Sequence, residues 1–155
     1  MITDHRVAVP APPDEAWALL MDIPRVATCV PGMESVHEAA PDTYAGVIGV
    51  RVGPVAVRLE GQVKVTIQDA AHHEARMDIE ATDRRIRGAV SAKSSVKLEP
   101  RDDGGTDLVV HTEASIFGKL GQFGQAVLKK KADQLIGEWA ECVARQLAPA
   151  AVDSA

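Results

Sequence analysis

Aromatic side chains are scarce: two Phe, one Tyr and two Trp make up 3% of the 155 residues. Large rings therefore cannot fill the interior, and Val, Ala, Leu and Ile must pack a chain that is 46% hydrophobic. An excess of positive charge is also missing. The formal charge of −5 leaves no dominant basic face to neutralise a phosphate backbone, which excludes nucleic acid as a partner. The local clusters Arg84, Arg85, Arg87 and Lys129, Lys130, Lys131 read as a solvated turn and a solvated helix face. Cysteine is limited to Cys29 and Cys142, far apart and without zinc-type spacing or the density of a secreted disulfide scaffold. Both stand alone, Cys29 reads as a packed thiol rather than a reactive one near a short helix end, and a reducing cytoplasm fits best. Met1 to Pro10 holds no apolar signal core, and no run of about 18 apolar residues occurs. Neither secretion nor a membrane span is expected, and any membrane contact is peripheral, at the inner face.

What is present is period. Ile2 to Val9 alternates and ends at Pro10, a first strand. Pro12-Pro13-Asp14-Glu15 then sets rigid φ and acidic side chains at a helix start, with Ala16, Trp17, Leu19 and Leu20 as its apolar face. Asp22 to Thr28 reads as a second short helix stopped by Pro31-Gly32. From Glu34 to Ser115 the period is two. Val55, Val57, Leu59, Gly61, Val63, Val65 and Ile67 share one face of a long strand, with Arg58, Glu60, Gln62 and Lys64 on the other. Alternation returns at Ala75, Met77, Ile79, Ala81, then at Ile86, Gly88, Val90, Ala92, Val96, Leu98, and last at Leu108, Val110, Thr112, Ala114, Ile116. Glycines inside these strands predict strong curvature.

Residues 119–147 read as one helix of roughly 43 Å, with Leu120, Phe123, Val127, Leu128, Leu135, Trp139, Val143 and Leu147 on its apolar face. The expectation is an α+β domain over residues 1–147, in which a curved antiparallel sheet of about seven strands wraps the last helix, followed by a disordered tail, 148–155. With few aromatics to plug the middle, a cavity between sheet and long helix follows.

The order of elements resembles the helix-grip fold of the START and plant-allergen-like (Bet v 1-like, SRPBCC) superfamily, whose members often hold apolar ligands in such a cavity. Locally, the segment VPAPPDEAWALL at residues 9–20 followed by CVPGMES at 29–35 is similar to the opening of the G-subunit family of carbon monoxide dehydrogenase. Tyr44, VRVGPV at 50–55, LEG at 59–61 and GKLGQFG at 118–124 agree with it, so the resemblance covers most of the chain. The resemblance implies an accessory rather than a catalytic component, one that aids assembly or membrane attachment of a carbon monoxide dehydrogenase-type molybdenum hydroxylase, with a quinone-like molecule or lipid as cavity ligand. Longer relatives carry a C-terminal membrane-binding extension; the sequence stops at Ala155 without one, so the expectation is peripheral contact at most.

The residues expected to line the cavity are Val57, Leu59, Met77, Ile79, Val90, Leu120, Phe123, Val127 and Trp139, each of which also suits a packed core. Lys131 falls in the apolar stripe by angle and reads either as a stem reaching water or as a contact for a polar headgroup at the cavity mouth. His72 and His73 are adjacent and lack a ligand set at metal spacing, so a turn is the better reading and no metal is expected. His5, His37 and His111 stand apart from any nucleophile, so no catalytic residue and no cofactor is expected. Two alternatives remain beside ligand binding: an interaction module docking a partner enzyme around Pro31-Gly32-Met33, and an enzyme of the polyketide-cyclase or hydrolase kind, which requires His, Asp, Glu or Tyr converging inside the cavity.

Overall fold

The structure, a computed structural model, describes residues 1–148. Strand β1 (Ile2–Val9) leads into helices α1 (Pro13–Leu20) and α2 (Ile23–Ala27). Strands β2 (Met33–Ala40), β3 (Thr43–Val52), β4 (Val55–Asp69), β5 (Glu74–Asp83), β6 (Gly88–Pro100) and β7 (Thr106–Gly118) follow, then a 3₁₀ turn (Lys119–Phe123) and helix α3 (Gln125–Leu147). The tail expected from Ala148 onward lies, from residue 149, outside the described residues.

The seven strands form one antiparallel sheet in the order β1-β7-β6-β5-β4-β3-β2. Hairpin connections join every neighbour except β1, which closes onto β7 at the far edge, so the six consecutive strands are a meander. This is the helix-grip arrangement. The register sets the concave face: Ile48 pairs with Leu59, Val63 with Ile79, Met77 with Ser94, and Leu98 with Leu108. Gly61 lies where β4 passes so close to β5 that a Cβ would collide with the Glu80 carbonyl and Ala81, and its bare backbone allows the bend.

α1 begins at Pro13 with Asp14 and Glu15 in its first turn, where acidic side chains meet the positive end of the helix dipole. It buries Ala16, Leu19 and Leu20 against Val9, Leu98 and Leu108, and α3 adds Ala140 and Val143 from the other side. The main core is thus shared by three helices and the β1-β7-β6 third of the sheet. α3 is tied to β1 through His5 Nε2 and Asp133 Oδ1 (3.1 Å), and to α2 by the Trp139 indole N–H, which donates to the Val26 carbonyl (3.0 Å).

Three expectations need correction. The single helix over residues 119–147 is broken at Gly124, whose φ of 89° suits only glycine, and α3 starts one residue later. Ile67 does not share the concave face: the β4–β5 register shifts between Val65 and Ile67, and this bulge leaves Ile67 43% exposed. Finally, Cys29 and Cys142 are not separate thiols but a disulfide across 113 residues, with Cα atoms 5.5 Å apart. Docking of α3 on α2 creates the pairing, which no sequence spacing announces. The cysteine argument for a reducing compartment falls with it, because disulfides persist mainly in oxidising surroundings.

Candidate ligand cavity

An apolar cavity of about 360 Å³ lies between the β3-β4-β5 part of the concave face and the helices. β3 contributes Tyr44 to Ile48; β4 contributes Leu59, Val63 and Val65; β5 contributes Met77, Ile79 and Ala81. α1 and α2 close one side with Leu20, Ile23 and Val26, and α3 closes another with Leu135, Ile136 and Trp139. The volume is within the range of small-molecule sites, and so is the composition, many apolar groups with a few polar ones. Apart from Tyr44 and Met77, the residues that β3, β4 and β5 turn toward the void are mostly small or branched aliphatic and leave it unfilled. Among the strands, α3 packs most closely on β1, at the opposite edge.

The disulfide lies in the main core behind this wall. Cys29 follows α2, and Cys142 lies one helical turn beyond Trp139 on α3, so the bond ties together two of the elements that enclose the void. Tyr44 faces Val63 across the strand pair, and the phenol is pushed above its ordinary range by burial first and then by the carboxylates of Glu38 and Asp42. A phenol held protonated is a hydrogen-bond donor rather than a base.

Of the residues expected to line the cavity, Leu59, Met77, Ile79 and Trp139 do so. Val57, Val90, Leu120 and Phe123 do not. They pack with Val52, Ile86, Ile116 and Leu128 into a second cluster at the other end of the sheet, which Leu59 touches from the cavity side. Val57 lies one inward position past Leu59 and Val90 two past Ser94, and Leu120 and Phe123 belong to the 3₁₀ turn, which the Gly124 break rotates out of phase with α3. Val127 points outward, 45% exposed. Lys131 donates to Gln134 Oε1 (3.2 Å) and is not part of the cavity wall. Trp17 packs on the main core, edge-on to His73 with ring centroids 5.8 Å apart.

His72 and His73 occupy the β4–β5 turn, where they contact Asp69 (2.7 Å) and Asp14 (2.8 Å) respectively. Among the described residues no three His, Cys, Asp or Glu side chains converge as a metal site. Ser94 on this wall is missing from the inward alternation read from the sequence, whereas Thr112 is part of it; their hydroxyls lie 2.9 Å apart. The alternation Val90, Ala92, Val96, Leu98 skips position 94, and that gap is the one available signal.

A second, polar cleft of about 680 Å³ opens at the β3–β4 and β5–β6 turns, walled by Glu34, Arg51, Arg58, Arg84 and Arg85. Its base is Asp83, 3% exposed, which accepts backbone N–H bonds from Arg58 (2.8 Å), Arg85 (2.8 Å) and Ile86 (3.2 Å). These bonds, Arg58's foremost, hold the Asp83 carboxyl below the usual carboxylate range. A depressed folded-state pKa gives stability that is present above the unfolded value, about 3.9, and is lost as pH falls through the folded one. Asp83→Ala is therefore expected to cost about 2 kcal/mol at neutral pH by orphaning three donors. Urea unfolding should show the gap between wild type and variant narrowing below about pH 4.

The sequence profile of the carbon monoxide dehydrogenase G subunit (CoxG) matches residues 6–148. No curated protein sequence matches significantly. Among solved structures, a conserved protein from Geobacillus kaustophilus is similar with a TM-score of 0.86 at 20% identity, covering 95% of each chain. A START superfamily protein from Mycobacterium smegmatis is similar at 0.69 and 10% identity, over 94% of this chain and 96% of the other. The Zhui aromatase/cyclase from Streptomyces sp. R1128 is similar at 0.62 and 18% identity, covering 97% of each chain. At these identities the likeness is one of fold.

Proposed function

Because the chain belongs to the G-subunit (CoxG) family of carbon monoxide dehydrogenase, we propose that it binds an apolar small molecule, quinone-like or lipid, in its internal cavity and thereby assists assembly or membrane recruitment of a carbon monoxide dehydrogenase-type molybdenum hydroxylase. The observation that carries the ligand half is the void itself: about 360 Å³ bounded mainly by aliphatic side chains from strands β2 to β7 and from helices α1, α2 and α3. A stable domain usually fills its interior to crystal-like density, and an unfilled apolar space costs stability in proportion to its size. A ligand that desolvates in it recovers about 25 cal/mol for each Å² of apolar surface removed from water. The partner half rests on family membership. Among the described residues no helix is long and apolar enough to cross a membrane, so exchange of ligand with a bilayer proceeds in this proposal by surface contact.

The rival reading, a docking module, gains support not from Pro31-Gly32-Met33, where Met33 borders the cavity, but from the polar cleft, whose Arg51, Arg84 and Arg85 are exposed beside the Glu34–Arg58 pair and suit an acidic partner surface. A cyclase-like reaction needs acid and base groups aimed into the cavity. Its lining includes the Tyr44 phenol, Gln62, the Ser94 and Thr112 hydroxyls, and Glu80, whose carboxylate already accepts from Ser91 Oγ (2.8 Å), a set suited to holding a molecule.

Native mass spectrometry of gently purified protein, followed by organic extraction, tests the proposal. One equivalent of a quinone or lipid is the expected result. Protein that emerges empty and also takes up no added quinone or fatty alcohol sinks the carrier reading and favours the docking module.

A further inference from the structure

Across the concave face a single row of paired residues runs Thr3, Thr112, Ser94, Met77, Val65 through β1, β7, β6, β5 and β4. Its first three members carry hydroxyls, side by side in a surface that is otherwise largely apolar. Ser94 and Thr112 border the cavity. Thr3, 3% exposed, stands next to them with its Oγ1 buried and without a hydrogen-bond partner among the described residues.

The hydrogen-bond accounting of the pair leaves capacity unused. Ser94 Oγ is 2.9 Å from Thr112 Oγ1 and 3.3 Å from the His111 carbonyl. If Ser94 donates to that carbonyl, Thr112 donates to Ser94 and lone pairs remain free. If Ser94 donates to Thr112, the Thr112 proton is free. A hydroxyl rotates its proton to suit either arrangement, so the pair presents the cavity with an acceptor or a donor at little cost. Buried hydroxyls without full partners are unfavourable where alanine or valine would pack as well. The other polar groups in the lining are Tyr44, Gln62, Glu80 and Trp139: the Tyr44 phenol lies against the Glu38 carboxylate, Glu80 accepts from Ser91 Oγ (2.8 Å), and the Trp139 indole donates to the Val26 carbonyl. Among the described residues no Lys, Arg or His side chain borders the void, so nothing there would neutralise a carboxylate or a phosphate.

We propose that Ser94 and Thr112 form the polar handle of the cavity, binding the carbonyl or hydroxyl of a neutral, otherwise apolar ligand. Because the handle donates or accepts, it holds both members of a carbonyl–hydroxyl redox pair, such as a quinone and its quinol, and discriminates against anionic lipids. The proposal rests on the cavity reading given above and adds its head-group chemistry.

Calorimetric titration separates the two. The ligands are menadione, its quinol kept reduced under argon, and 2-methylnaphthalene, which has the same ring system without oxygen. The proteins are wild type, Ser94→Ala, Thr112→Val and the double variant, each checked for an unchanged circular-dichroism spectrum. Wild type should bind all three. The double variant should weaken menadione and menadiol each about tenfold and leave 2-methylnaphthalene within about twofold. Equal losses for all three ligands, or no loss for any, overturn the handle while leaving the cavity reading in place. Wild type that binds neither menadione nor 2-methylnaphthalene overturns both.

Discussion

Ile79→Trp is expected to lower the affinity for a naphthoquinone probe by about 100-fold, about 2.8 kcal/mol, in a protein that still folds. Ile79 sits in the middle of β5 on the concave face, paired with Val63 on β4 and Ala92 on β6. In a filled core an added indole would force neighbours off their rotamers at about 1–3 kcal/mol. Here the side chain borders an open void and the indole grows into it, occupying space the ligand needs. Val127→Trp is the control. Val127 lies on the apolar stripe of the helical pattern, where spacing alone would place a cavity plug, but it is exposed, so tryptophan there should leave affinity unchanged. Calorimetry with menadione reads both variants. Equal affinities for Ile79→Trp and wild type would mean that the ligand binds elsewhere.

Reduction of the Cys29–Cys142 bond should produce the largest stability change of any single covalent alteration. A cross-link closing 113 residues removes much of the conformational freedom of the unfolded chain, and the loop-closure relation gives about 4–5 kcal/mol for a loop near that length. Urea unfolding with and without dithiothreitol, repeated on Cys142→Ser, measures it. The account predicts that the midpoint falls by a similar amount in the reduced protein and in the variant, and that the variant no longer responds to reductant. Cys29 lies at the end of α2, whose Ile23 and Val26 border the cavity, so the same change should also loosen ligand retention. An unchanged midpoint on reduction would mean that the bond does not form in solution.

Much of the architecture is legible in the residues because local and global preferences agree. The two-residue alternation from β2 to β7 places inward aliphatics on one face, and the turns fall at Gly, Pro and Asp clusters as turn chemistry requires. What escapes the sequence is phase and pairing. A bulge at Val65–Ile67 reverses the facing of one residue, and a single positive φ at Gly124 detaches Leu120 and Phe123 from the helix whose spacing they share. Both depend on how strands and helix seat against one another.

The candidate site divides along the same line. Leu59, Met77, Ile79 and Trp139 are found because inward alternation and helical spacing point to the middle of the fold, whereas the boundary between the empty and the filled part of the interior has no local signature. Val57 and Leu59 are alike in sequence and two residues apart, and both pack toward Val52 and Leu120, yet only Leu59 also borders the void. The Ser94–Thr112 pair comes from strand register, and the Cys29–Cys142 bond from helix docking across the whole chain.

The central claim, an apolar ligand held between the β3-β5 face and α3, is tested most directly by methyl-labelled NMR during a menadione titration. The account predicts saturable shifts at the methyls of Met77, Ile79 and Leu135, with those of Leu120, Ile116 and Leu128 in the second cluster unmoved. Shifts confined to that cluster or to the arginine-lined cleft, or no saturable shift at all, would contradict it.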